Sequence, residues 1–478
     1  MADQNWTRRR VLGHVTGASA VMASGVAVSR GPAQAQNAVY DVIVVGGGLA
    51  GLTAARQAKD QGLSVLLLEA RCRLGGRVHS EALPSGTRID VGAQFISDYQ
   101  THVTALGKEA GVTTHPVELP GDYLFVTGSG DVERYRKGAE PLSFTAQLRA
   151  LWSYFRLGRH IEGFDPADIA AFDAMDAATF IRSKVWGDDL IRLFGGSFGD
   201  SLCMRLSQVS AYELFKQAES MGGMEGVENQ EQWFIDGGAG TLVDFLASHL
   251  EGAIVLNAPV SDLAQDAEGV TVAGAAGAFR GRRAIVAVPP QTYPMLGLTP
   301  ELPEDRLKVL SDFQLGRVYK TVIEFDSPWW REDGLSGAIV NPGDTFHAVV
   351  DGTPAGSTTG VLVAFTSGPG ADELGATTPS EEARIAAFAA WLSRVNGRDL
   401  PPVIGGRSYD WNGDAYSQGG YASRRGIGGW AAVPDLFAPW QHVHFAGTET
   451  ADLWRSYMDG AIQSGLRAAD EVAARLVR

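Results

Sequence analysis

One stretch near the start of the chain decides most of the fold. Val39 to Val45 reads VYDVIVV, a short β-branched run suited to a parallel strand buried on both faces. Gly46-Gly47-Gly48-Leu49-Ala50-Gly51 follows directly and matches G-x-G-x-x-G. Leu49 to Ala58 then has helical periodicity, and Ser64 to Leu68 makes a second strand that ends at Glu69. In this strand–helix–strand context each glycine has its own task. Gly46 permits the tight turn, Gly48 lets the backbone approach a pyrophosphate, and Gly51 lets the helix pack closely on the strand. The helix N-terminus faces the phosphates, and Glu69 is placed to accept hydrogen bonds from a ribose. The expected fold class is α/β with a Rossmann-like dinucleotide-binding domain.

The next residues favour a flavin dinucleotide over a nicotinamide one. Ala70-Arg71-Cys72-Arg73-Leu74-Gly75-Gly76-Arg77 offers close backbone approach at Gly76 and cations at Arg71 and Arg77, which suit a pyrophosphate. The plainer reading is a basic surface loop. Asp90-Val91-Gly92-Ala93-Gln94-Phe95 is another glycine turn, and Gly92, Ala93 and Gln94 are candidates to pass near an isoalloxazine ring. The cofactor expected is FAD.

Bulk properties set the outer limits. A chain of 478 residues is too long for one ordinary core, so two domains or one elaborated domain are expected. The net charge of −15 leaves no basic stripe for phosphates, so no nucleic-acid partner is expected. Two cysteines cannot build a disulfide framework, and with nine scattered histidines no zinc-ligand spacing appears, so no metal is assigned. Thr7-Arg8-Arg9-Arg10-Val11-Leu12, the small-residue apolar run Val15 to Val28 and Ala33-Gln34-Ala35 read together as a bacterial twin-arginine (Tat) leader over residues 1–36. A basic tail before an unstructured segment is the plainer alternative. A leader of this kind implies export to the periplasm or the medium. No later run reaches the ~18 apolar residues of a membrane helix, so no membrane span is expected.

The C-terminal region carries a more specific pattern. Phe445-Ala446-Gly447-Thr448-Glu449-Thr450 is followed by Trp454-Arg455-Ser456-Tyr457-Met458-Asp459-Gly460-Ala461. Upstream stand Tyr409-Asp410-Trp411 and Tyr416-Ser417-Gln418-Gly419-Gly420-Tyr421, and before them Arg317-Val318-Tyr319-Lys320. With the N-terminal glycine block, these segments resemble the flavin amine oxidase family of monoamine and polyamine oxidases, over almost all of the chain from Val39 onward. The resemblance implies a FAD domain of the glutathione-reductase/amine-oxidase type over residues 37–113, 235–309 and 414–478. A discontinuous α+β substrate-binding domain would then cover 114–234 and 310–413.

The same resemblance assigns roles. Glu449, Trp411, the backbone at Val260 and the Tyr457-Met458 pair would hold the FAD. Tyr421 and Tyr457 would flank the amine as an aromatic cage, Lys320 would hold a water near flavin N5, and Gln230 would line the substrate cavity. Animal monoamine oxidases carry a flavin-linked cysteine where this chain has Gly420, so the FAD is expected to be noncovalent. The implied reaction is oxidation of a small primary or secondary amine to an imine by hydride transfer to flavin N5. The imine would go on to an aldehyde or ketone. The electrons would pass to oxygen or to a redox protein.

Three rivals stay open: an L-amino-acid oxidase, a carbon–carbon desaturase, and a noncatalytic flavin-bearing scaffold. The first needs a cation for the substrate carboxylate, and Arg424, Arg425 and Arg455 are the candidates. The sequence leaves the particular amine, the electron acceptor and the oligomeric state undecided, a homodimer being one option.

Overall fold

An eight-stranded sheet carries the glycine motif. The computed structural model describes residues 38–139, 141–162 and 165–476, so the leader reading, on residues 1–36, lies outside the described residues. The sheet order is Ile254–Val255, Val65–Leu68, Val39–Val45, Gly277–Val286, Gly269–Gly274, Val260–Asp266 and Leu298–Thr299. Val443–Phe445 pairs with the end of Gly277–Val286. Val39–Val45 is parallel to both of its neighbours, and four of its residues, Val42 to Val45, are 3% exposed or less. That burial explains why the strand reads as a continuous apolar run without alternation.

The helix Leu49–Asp60 leaves this strand through the glycine loop and packs against the long C-terminal helix Met458–Leu476. The approach is close at Gly465, where a Cβ would lie 2.4 Å from the Ala50 carbonyl oxygen. Apolar residues of both helices share one core with Gly240–Ser248 and one face of the sheet. A second core fills the opposite face.

A seven-stranded sheet forms the other half, in the order Val403–Asp410, Val318–Phe325, Gly360–Ser367, Ala348–Asp351, Leu335–Val340, Asp122–Val126 and Val132–Tyr135. Val318–Phe325 and Gly360–Ser367 are buried along their whole lengths, and Glu381–Asn396 packs on this sheet. Helices between Phe144 and Ser220 gather round a separate core that includes Phe180, Ile181, Leu190 and Phe215. Among the described residues no helix is long and apolar enough to cross a membrane.

Some boundaries differ from the sequence reading for identifiable reasons. The helix expected from Gln208 begins at Ala211, because Ser210 caps it by accepting from the Glu213 amide and Leu206–Gln208 is a separate 3-10 turn. The expected Leu142–Arg159 helix is Phe144–Glu162, and Leu242–Leu250 is Gly240–Ser248.

Candidate active site

Residues of both sheets and of the helices between Tyr154 and Glu228 line a cavity of about 870 Å³. This is near the upper end for ligand pockets. Its lining can be followed by contacts from the glycine loop to the second sheet. Glu69, 3% exposed, accepts from the Gly47 amide at 2.7 Å and the Arg71 amide at 2.8 Å, and its carbonyl receives the Ala258 amide. Val260 lines the cavity beside Ala258. The Gly75 amide donates to the Gly47 carbonyl, and Gly48 bridges to Gly75. Gly76 and Arg77 come next, and Arg77 donates to the Tyr421 carbonyl at 2.8 Å. Lys320, Trp411, Tyr421, Tyr457 and Met458 line the remainder, together with Gly92, Ala93 and Gln94.

The three motif glycines occupy different environments. Gly46 has φ +107, in the region that favours glycine, and a Cβ there would lie 2.9 Å from the Ala287 carbonyl oxygen. A Cβ at Gly51 would lie 1.9 Å from the Gly46 carbonyl oxygen. At Gly48 the nearest atom would be the Gly75 carbonyl oxygen at 3.8 Å. The protein therefore leaves Gly48 bare toward the cavity, at the N-cap of Leu49–Asp60. Free amides at a helix N-terminus and a backbone cleared of side chains suit a pyrophosphate. A cradle that long, continuous with an apolar cavity, fits FAD.

The arginine of the second glycine pair is engaged more fully than the sequence suggested. Arg77 makes a bidentate ion pair with Glu449, at 2.6 and 3.0 Å. Glu449 is 5% exposed. Burial would raise its pKa, but Arg77 outweighs burial and holds the carboxyl below the usual range. Of these two groups expected to face the cofactor, Arg77 lines the cavity and Glu449 does not; Glu449 sits behind the wall, spent on neutralising Arg77. Arg71 is likewise bonded to Asp414 and to Ser417 Oγ.

At the far end, Lys320 is 2% exposed. Its ammonium donates to the Gly92 carbonyl at 2.8 Å and to Gln94 Oε1. Burial pulls its pKa down to about 7, against the opposing pull of Asp90 and Glu231. The Tyr457 hydroxyl donates to Gln230 Oε1, which also lines the cavity. Trp411 donates to the Val91 carbonyl at 2.9 Å and so anchors the loop under Gly92. Tyr421 and Tyr457 border the same cavity and lie within electrostatic reach of each other.

Sequence reasoning missed two carboxylates. Glu231, next to Gln230, lines the cavity, and burial pushes its pKa up to about 7 against the pull of Lys320. Its proximity to Gln230 in sequence was the one signal that might have found it. Glu213 is 0% exposed and pairs with two of the three arginines considered for carboxylate binding, Arg424 and Arg455. Arg424 donates to Glu213 Oε1 and Gln217 Oε1, each at 2.7 Å. Arg455 approaches Glu213 at 3.5 Å. Arg425 lies 4.0 Å from the Trp430 ring centre and donates to the Val433 carbonyl. Of the three only Arg424 lines the cavity. No local sequence pattern links Glu213 to residues more than two hundred positions later.

Cys203 is buried and Cys72 exposed, both as free thiols. Cys203 packs with Val318 and Trp411, and burial pushes its thiol up to about 12. Neither cysteine lines the cavity.

The family model for flavin containing amine oxidoreductases matches residues 49–473. Amine oxidase [flavin-containing] B of Sus scrofa is 28% identical over 455 residues, covering 90% of this chain and 86% of that protein. An L-amino acid dehydrogenase of Synechocystis is 30% identical over 462 residues, covering 91% and 95%. The solved structure of a putrescine oxidase bound to putrescine superposes with a TM-score of 0.86 at 26% identity, covering 92% of this chain and all of that one. With the fold, the cradle and the family model in agreement, the chain belongs to the flavin containing amine oxidoreductases.

Proposed function

We propose that this enzyme holds FAD noncovalently along the glycine cradle and oxidises a small primary or secondary amine between Tyr421 and Tyr457. The observation that carries this reading is the convergence of Lys320, Tyr421 and Tyr457 on one cavity continuous with that cradle. FAD held there by Gly48, Gly76, Glu69, Val260 and Met458 would supply two-electron redox chemistry, as acceptor of a hydride equivalent from an amine α-carbon.

The protein orients and desolvates the amine. The electron-rich faces of Tyr421 and Tyr457 suit an amine nitrogen. Gln230 holds the Tyr457 hydroxyl and so limits rotation of that ring. Lys320, fixed by Gly92 and Gln94, presents an ammonium that is about half-charged at neutral pH and suited to holding a water at the reacting end. Gly48, Gly76, Glu69, Val260 and Met458 border the cofactor's path. The high pKa and buried position of the Cys203 thiol, together with Gly420, support a noncovalent cofactor. Export through residues 1–36 belongs to the same reading and rests on their sequence alone.

Amino acids fit less well, because the arginines near the cage are spent on Glu213, Gln217 and backbone carbonyls. The test is anaerobic mixing of the purified yellow protein with amines and, separately, with L-amino acids. Bleaching of the oxidised flavin by amines alone is the expected result. Bleaching by amino acids alone would refute the reading.

A further inference from the structure

The cavity holds one acid that the proposed reaction has not yet used. Glu231 lies beside Gln230, the partner of the Tyr457 hydroxyl. Its carboxyl acts electrostatically on Lys320, Tyr421 and Tyr457. It therefore lines the same cavity as all three groups placed at the reacting end and lies within electrostatic reach of each. Among the described residues no hydrogen bond or ion pair engages this carboxyl, in contrast to Glu69, Glu213 and Glu449. The side chain is exposed, and Glu231 lines the cavity. An acid without a protein partner beside a largely apolar cavity gives up water when a ligand fills that cavity, so an incoming cation is its natural complement.

Resting on the amine-oxidation reading, we propose that Glu231 receives the substrate as an ammonium ion and takes its proton, delivering the neutral amine to the site. One N–H bond of R–NH3⁺ breaks and one O–H bond forms on the Glu231 carboxylate. The products are R–NH2 and a neutral carboxyl, and no electrons change hands. In water this transfer runs uphill, because alkylammonium ions are far weaker acids than carboxylic acids. Once the substrate fills the cavity and displaces its water, the balance reverses: desolvation penalises both charged partners and spares the neutral pair. The upward shift of Glu231 to about 7 places it where a base is effective at neutral pH, and it is ionised and able to accept above that pH.

The other titratable groups facing Glu231 are Lys320 from the second sheet, Tyr421, and Tyr457 at the start of the C-terminal helix. Asp90 acts on Lys320, and Arg424 and Cys203 act on Tyr457. Both tyrosines are shifted upward by burial and stay neutral through the range of interest. Lys320, with a pKa near that of Glu231, is the one competing acceptor, and the test separates the two.

Two readouts on the FAD-loaded enzyme decide the matter, with Glu231→Gln as the shape-conserving variant. First, with any amine that bleaches the wild type, kcat/KM at pH 7.5 falls about 100-fold in Glu231→Gln and recovers as pH approaches the amine's own pKa. Second, cumylamine has no α-hydrogen and so binds without reacting. Calorimetry at pH 8 in two buffers of different ionisation enthalpy then counts protons released on binding. Glu231→Gln releases about one more proton per site than the wild type, because its amine must shed the proton to buffer. Parallel pH profiles, or equal proton counts, overturn the inference while leaving amine oxidation standing. An extra proton released by Lys320→Met and not by Glu231→Gln overturns it in favour of Lys320. A wild type that no amine bleaches removes the underlying reading instead.

Discussion

Gly48 and Gly51 stand three residues apart in one motif, yet adding the same methyl group to each has opposite consequences. At Gly51 the new Cβ lies 1.9 Å from the Gly46 carbonyl oxygen, 3.1 Å from its carbon and 3.3 Å from Ala287 Cβ. Ordinary contact begins near 3.4 Å, so the helix start must retreat by about 1.5 Å from backbone that no rotamer change can move. Overpacking of this kind costs ~1–3 kcal/mol or more, and it opens the turn that forms the cradle. At Gly48, φ is −76 and ψ 178, a conformation alanine adopts freely, and the nearest atom is 3.8 Å away. There the methyl reduces the freedom of the unfolded chain and stabilises the apoprotein by ~0.4–1 kcal/mol, while projecting where the pyrophosphate must come. Denaturant unfolding of FAD-stripped wild type, Gly48→Ala and Gly51→Ala measures the first effect, and FAD titration the second. Stripping matters, because bound FAD stabilises the native state by mass action. Gly48→Ala should be at least as stable as the wild type yet bind FAD roughly 5- to 150-fold more weakly, the equivalent of ~1–3 kcal/mol. Gly51→Ala should lose on both counts. Wild-type FAD affinity in Gly48→Ala would refute the placement of the cofactor along this loop.

Three further outcomes are expected. Removing Arg77, by Arg77→Met, should cost ~3–5 kcal/mol, because it leaves the Glu449 carboxylate buried without its cation; Glu449→Gln should cost less, since Arg77 is part-exposed and keeps the Tyr421 carbonyl, and the double variant should recover part of the first loss, as read by a denaturant double-mutant cycle. Glu213→Gln should destabilise by a similar ~3–5 kcal/mol, since Arg424 and Arg455 lose their shared counter-ion; an unchanged unfolding midpoint would show that those arginines are neutralised by something else. Burial pulls the Lys320 ammonium from its ordinary pKa of 10.5 down to about 7 in the folded protein. Between these values the unfolded chain binds the extra proton, so stability should rise with pH from about 7 to about 10.5 and flatten beyond. Thermal unfolding of Lys320→Met across that window should lack this contribution, and identical slopes in the two proteins would refute the depressed pKa.

The sequence exposed those features whose cause is local. The Val39–Val45 strand, the glycine loop and the Leu49–Asp60 helix were legible because periodicity and backbone sterics act over a few residues. The tyrosines and Lys320 were placed by motif resemblance, and their convergence is a property of two sheets meeting. The bonds between side chains were not legible. Arg77 and Glu449 are separated by 372 positions, and each alone resembles a ligand for an anion or a sugar. Only the fold shows that each is the other's partner. Glu213 was invisible for the same reason. It sits on an amphipathic helix where an acid ordinarily faces water, and its complete burial follows from arginines that arrive from the far end of the chain. Glu231 was hidden differently: an exposed glutamate beside a strand gives no sign that it lines the cavity.

The threading of the first sheet bears on how this protein is made. Its central strand, Val39–Val45, is among the first parts of the described chain to leave the ribosome. One neighbour, Gly277–Val286, comes more than two hundred residues later, and the helix that covers Leu49–Asp60 begins only at Met458. At translation rates of ~5–20 residues per second, the roughly 400 residues between first strand and final helix take ~20–80 seconds to synthesise. For more than half of that interval, until Gly277–Val286 emerges, VYDVIVV lacks one of its two sheet neighbours and is a β-prone segment with an open edge; the core over Leu49–Asp60 stays uncovered until the last helix arrives. A truncation that spares every residue of the glycine loop but removes the terminal helix should therefore yield aggregate rather than a small folded nucleotide-binding fragment.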